Sequence, residues 1–182
     1  MSPAWRTLAA ATLMAAAPTG TLAQSGTEFQ PELYFAGVTR SAGVLTDASG
    51  RPTGGFTGVT RGGQDRDGAT VFDQTIRFSD GTVRSRSWRL ARTGPGRIAA
   101  TGSEVVGVAT GEISGRTLRL LSTIRLDPGN PFSDVDFDQV FELQPDGRRV
   151  TNRSVISKLG VVVSGADETF VRAGRRAGRA GR

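Results

Sequence analysis

Apolar residues recur at every second position through much of the chain. Leu118, Leu120, Ile124 and Leu126 share one parity, while Arg119, Thr123 and Arg125 share the other. Val135, Phe137, Phe141 and Leu143 alternate with Asp136, Asp138 and Glu142, and Phe72, Ile76 and Phe78 alternate with Asp73, Thr75 and Arg77. Side chains of a strand point alternately to its two faces, so each run predicts a strand with one buried and one wet face. Turn chemistry punctuates the runs at Asp47-Ala48-Ser49-Gly50, Ser79-Asp80-Gly81, Thr93-Gly94-Pro95-Gly96 and Gln144-Pro145-Asp146-Gly147. Proline presets φ, glycine supplies positive φ, and Asp or Ser bonds back to its own backbone.

Strands are predicted near 32–46, 54–61, 69–78, 82–92, 97–101, 104–114, 116–126, 135–144, 148–164 and 167–172. The links between them are of hairpin length, and no amphipathic helix stands out. Alternation with short connections predicts an all-β, antiparallel, up-and-down barrel of about 8–10 strands rather than βαβ units. The glycines at 54, 55 and 58 precede no helix, which excludes a phosphate-cradling loop; they read as strand edges or bulges.

The two ends of the chain read differently. Residues 1–23 carry a basic start at Arg6, an apolar stretch from Leu8 to Ala17 and a small-residue end, with Thr21 and Ala23 placed for cleavage before Gln24. This is the pattern of a signal peptide and predicts a periplasmic or secreted protein. Residues 24–31 read as a linker and 32–172 as the barrel. Residues 173–182 form an Arg/Gly/Ala tail with no large apolar side chain, expected to be disordered. Its arginines suit an anionic membrane surface, and a solvated extension is the other reading.

Charge changes the picture once it is located. Of the 23 basic residues, one lies in the leader and five lie in the tail from Arg172, which leaves 17 against the 17 acids. The body is neutral and gives no support to a nucleic-acid partner. The chain has no cysteine and no histidine. Disulfides, thiol nucleophiles, Ser-His-Asp arrangements and the commonest metal ligands are thereby excluded, and no cofactor or enzymatic motif is expected. Asp134, Asp136 and Asp138 alternate, but on an extended strand the outer two stand roughly 13 Å apart, too far to share a cation. They are expected to pair with arginines of a neighbouring strand.

Two polar sets remain. Arg84, Arg86, Trp88 and Leu90 share one parity and mix charge with apolar surface. Either a packed tryptophan sits beside solvated arginines, or a pocket offers an apolar wall and a cationic end. In the set Asn152, Arg153 and Lys158, either Asn152 and Arg153 tie strand ends together and Lys158 is exposed, or Lys158 or Arg153 holds a ligand carboxylate or phosphate at the barrel mouth.

Several short motifs resemble one family: Phe35-x-Gly37, Gly43-Val44-Leu45-x-Asp47-x-x-Gly50, Arg86-x-Trp88-x-Leu90, Gly107-x-Ala109-x-Gly111, and Thr151-Asn152-Arg153 leading to Ser157-Lys158-Leu159-Gly160. Together they are similar to an uncharacterised Gram-negative envelope family, domain of unknown function 3833, over roughly Leu33 to Val171. The resemblance implies a calycin-like (lipocalin-like) barrel. Such a barrel can enclose one apolar or amphipathic small molecule or lipid, and Arg86, Trp88, Asn152, Arg153 and Lys158 are the candidate contacts. An envelope interaction or structural protein with a filled barrel is the alternative.

Overall fold

The structure, a computed structural model, describes residues 28–173. The predicted leader, the first part of the linker and all but the first residue of the tail lie outside the described residues. Ten antiparallel strands follow in chain order: β1 (Gly37–Asp47), β2 (Pro52–Gln64), β3 (Thr70–Phe78), β4 (Val83–Gly94), β5 (Arg97–Gly102), β6 (Ala109–Ser114), β7 (Thr117–Arg125), β8 (Asp134–Leu143), β9 (Arg149–Lys158) and β10 (Val161–Arg172). Each pairs with its sequence neighbours, and β1 pairs with β10 from Thr39↔Arg172 to Asp47↔Ser164, which closes the barrel. Closure removes the two sheet edges that would otherwise present unpaired backbone. The all-β up-and-down barrel read from the alternation is the fold.

Parity holds around the wall. Leu118, Leu120, Ile124, Val135, Phe141 and Leu143 are buried inside. Outside, the Arg119 guanidinium donates twice to the Asp138 carboxylate, Arg125 does the same to Asp134, and the Thr123 hydroxyl donates to Asp136 at 2.7 Å. The three aspartates are thus cross-strand partners, and pairs this exposed contribute little to stability.

Because successive strands run up and down, the hairpins sort to two ends. The β2–β3, β4–β5, β6–β7 and β8–β9 turns lie at one end, together with the N-terminal segment and the close of β10. That end is plugged. Residues Pro31–Tyr34 form one helical turn, α1, and not the start of a strand as the sequence suggested for 32–36. Proline at its first position presets the helical φ, and the Phe35 N–H closes the turn on the Pro31 carbonyl at 2.9 Å. Phe29, in the segment read as a linker, is fully buried, and its N–H donates to the Gly115 carbonyl at 2.7 Å. Tyr34 and Phe35 follow it inside, where Phe35 stacks on Phe72 at 5.4 Å and meets Phe170 edge-on. Gly62 permits this entry, since a Cβ there would collide with the Phe35 carbonyl.

Other boundaries differ: β6 begins at Ala109 rather than near 104, and β10 runs unbroken through 165–166. The run read as a single strand over 148–164 turns at Leu159-Gly160, where both residues adopt positive φ (53° and 79°) and Lys158 pairs with Val161. That is a two-residue hairpin of the kind usually marked by Asn-Gly or Asp-Gly.

Candidate functional site

The barrel interior has three levels. The plugged end is filled by aromatic rings: Phe35, Phe72, Trp88, Phe141 and Phe170 touch in sequence at centroid separations of 5.4–6.5 Å. The opposite end, where the β1–β2, β3–β4, β5–β6, β7–β8 and β9–β10 connections gather, is open. Its cavity of about 260 Å³ has apolar walls from Leu45, Phe56, Ile76, Phe78, Leu126, Phe137 and Ile156. A smaller hollow of about 50 Å³ lies deeper, against Phe35, Phe72 and Trp88. Arg86, Gln139, Asn152 and Glu168 line both.

Those four residues belong to a polar belt at mid-height, built by cross-strand register. Gln74 on β3 lies opposite Arg86 on β4, Gln139 on β8 opposite Ser154 on β9, and Asn152 on β9 opposite Glu168 on β10. The Arg86 Nε donates to Gln74 Oε1 at 2.8 Å, and its guanidinium carbon stands 5.7 Å from the Trp88 ring centroid. The amides of Gln139 and Asn152 both donate to Ser154 Oγ, at 3.2 and 3.3 Å.

The belt is incompletely paired. Asn152 Oδ1, Glu168 Oε1, Ser41 Oγ and Ser122 Oγ are buried without a hydrogen-bond partner. Arg86 makes no ion pair among the described residues; the rim pair at 3.8 Å is Arg84 with Glu104. Burial lowers the Arg86 pKa, with Glu168 and Glu104 pulling it back up from a distance. Burial pushes the Glu168 carboxyl up, and Ser41, Arg86 and Asn152 nearby offset part of the rise. Ser41 and Asn152 lie beside that carboxyl without closing a well-formed bond to Oε1. Buried polar atoms in native proteins are nearly always paired, by protein, water or ligand, so this cluster marks a place built to receive polar groups.

Of the residues singled out from sequence, Arg86, Trp88 and Asn152 come together inside the barrel. Trp88 lies at the boundary between the filled and open halves rather than near the mouth. Arg153 does not join them: it projects from the outer wall, where its Nε lies 3.1 Å from Asp167 Oδ1. Its parity opposes that of Asn152, so a ligand in the cavity is out of its reach. Lys158 reaches the rim but donates to the Phe132 carbonyl at 2.7 Å, outside the cavity. Gln74, Gln139, Ser154 and Glu168 were not singled out from sequence. Their signal was a polar residue at inward parity within an apolar face, as in Phe137-x-Gln139-x-Phe141.

Larger hollows exist on the outer wall, one of about 710 Å³ framed by Val44, Val140, Glu142 and Arg153. Mostly outward-facing residues line it, with Asn152 and Glu168 behind them, whereas the unpartnered side-chain atoms of Ser41, Ser122, Asn152 and Glu168 sit at inward-facing positions.

The same architecture occurs in solved structures. The S-type phycobiliprotein lyase CPES from Guillardia theta superposes with a TM-score of 0.60 at 12% identity, covering 80% of this chain and 94% of that one. Rv2717c from M. tuberculosis superposes with a TM-score of 0.58 at 15% identity, covering 80% of this chain and 99% of that one. At such identities the likeness is one of fold. A search of curated proteins finds no match. The sequence itself matches, over residues 10–171, the family described as "Protein of unknown function (DUF3833)", and the chain belongs to that family.

Proposed function

We propose that this is an exported binding protein that takes an apolar or amphipathic small molecule or lipid into the open half of its barrel. The observation that carries the reading is the division of the interior. One half is packed with aromatic rings and closed by the N-terminal segment, while the other keeps an apolar-walled cavity that ends on a polar belt. A barrel serving only as an interaction scaffold has no need of an open, apolar half. That alternative draws on the filled end and on the exposed Phe132 and Leu159 at the rim. The unpartnered interior groups favour a ligand over it.

The leader supports export, and the arginine tail supports attachment to anionic lipid; both are part of the proposal. Size bounds the ligand. At ~30 Å³ per water-sized group, 260 Å³ encloses on the order of nine non-hydrogen atoms, far fewer than a two-chain phospholipid. The test is native mass spectrometry of protein recovered from the periplasm after expression with its leader. A bound species released by organic extraction is expected. If the extracted protein then fails to bind 1-aminonaphthalene, a neutral, mostly apolar fluorophore small enough for the cavity, the proposal fails.

A further inference from the structure

The belt's unused hydrogen-bonding groups specify a head group. Arg86 spends its Nε on Gln74, and its terminal amino groups make no hydrogen bond among the described residues. Arg86 is partly buried, and a cation withdrawn from water without a counter-charge in contact is costly; an incoming anion with matching geometry offsets that cost. The unpartnered acceptors Asn152 Oδ1 and Glu168 Oε1 belong to side chains only 4% and 8% exposed, and both residues line the cavity. They call for a donor. A cationic head would place a second positive charge beside Arg86, and a purely apolar ligand would leave all three groups unsatisfied.

We infer that the ligand is a monoanionic amphiphile of medium chain length, its acid on Arg86, with a hydroxyl or N–H beside the acid to meet Asn152 and Glu168. The inference rests on the binding reading above and narrows it. The chain runs out along Ile76, Phe137 and Ile156 towards the mouth. With on the order of nine or ten atoms enclosed, a ten-carbon acid fills the cavity and reaches the rim.

The test is displacement of 1-aminonaphthalene from the delipidated protein by four probes built on a ten-carbon chain: decanoate, 3-hydroxydecanoate, decanol and decyltrimethylammonium. Charge-assisted hydrogen bonds predict that decanoate displaces the dye at roughly tenfold lower concentration than decanol. The ammonium compound should be weakest, and 3-hydroxydecanoate should gain about fivefold over decanoate, the equivalent of one further neutral hydrogen bond. Arg86→Gln should erase the preference for decanoate over decanol, read as the ratio of the two displacing concentrations on the same variant. If the dye binds but decanol or the ammonium competes as well as decanoate, the head-group inference is overturned and the binding reading stands. If 3-hydroxydecanoate is no tighter than decanoate, the donor half is overturned. If neither dye nor any probe binds, both readings fall. Should Arg86→Gln not fold, the probe series on the unaltered protein decides alone.

Discussion

The guanidinium carbon of Arg86 stands 5.7 Å from the centroid of the Trp88 ring, and Trp88 in turn stacks on Phe72 at 6.4 Å. The indole is thus the floor between the filled and open halves of the barrel. It packs against aromatic neighbours on one side and faces the partly buried cation on the other, an attraction that strengthens when water is excluded. Trp88→Ala removes a core side chain that is only 8% exposed and should cost ~3–5 kcal/mol in denaturant unfolding. Trp88→Phe keeps a ring beneath the guanidinium and should cost distinctly less. Equal losses would mean that indole volume alone matters and that the ring face contributes nothing to holding Arg86.

Glu168 should make the barrel less stable as pH rises. Burial raises its folded-state pKa above the ordinary 4.5, against the pull of Ser41, Arg86 and Asn152. The folded chain therefore binds the proton more tightly than the unfolded chain. The favourable contribution is fully present below the unfolded value and disappears as pH climbs through the folded one. Glu168→Gln fixes the neutral form, so its melting temperature should exceed that of the parent at pH 7 and match it near pH 4. A lower melting temperature at pH 7 would show that the carboxylate acts as a net counter-charge to Arg86. Asp146 runs the other way. Backbone N–H groups of Arg148 and Arg149 and the Arg149 side chain hold it down to about 2, so its contribution is lost only as pH falls towards that value.

The plug can be followed through its single tyrosine. Tyr34 Oη lies 2.9 Å from the Arg148 carbonyl and 3.0 Å from the Phe170 carbonyl, and burial pushes its pKa up to about 12, with Arg172 pulling it partly down. The sequence contains one tyrosine, so the phenolate increment near 295 nm, above the tryptophan background, comes from this group. Titration should show no phenolate until about pH 11 and then a rise that coincides with loss of barrel structure by circular dichroism. Ionisation near pH 10 in a folded barrel would mean that α1 does not sit in the end of the barrel in solution.

What could be read from the chain, and what could not, follows the range of the interactions involved. The faces of β7 and β8 were legible because Leu118, Leu120, Phe137 and Phe141 alternate over enough residues to fix parity. Of the candidate site, Arg86 and Trp88 stood out because one parity mixes charge with apolar surface, and Asn152 because of the same motif that holds Arg153. Arg153 was drawn in by the distinctiveness of its motif, against its parity, and the structure places it outside. Glu168 and Gln139 acquire meaning only when β10 closes on β1 and brings their strands around one interior, a relation set by pairings across more than a hundred residues. The helical turn over Pro31–Tyr34 is shorter than the window in which periodicity can be seen.

The β9–β10 hairpin was hidden because its turn uses Leu159 where Asn or Asp is usual, and this gives the last prediction. Leu159 adopts φ 53° ahead of Gly160 at 79°, so the two form a primed turn between Lys158 and Val161. A leucine Cβ crowds the backbone in this region, at a cost of roughly 1–2 kcal/mol. Its side chain is 94% exposed and recovers almost nothing by packing. Leu159→Asn keeps a side chain that tolerates the conformation and should raise stability by about 0.5–1 kcal/mol, seen as a higher denaturant midpoint at unchanged m. Leu159→Gly relieves the same strain but loosens the unfolded chain, so it should gain less than Asn. Leu159→Val adds branching at Cβ and should be destabilising. If Leu159→Asn lowers the midpoint instead, the leucine side chain must make a contact in solution worth more than the strain it carries.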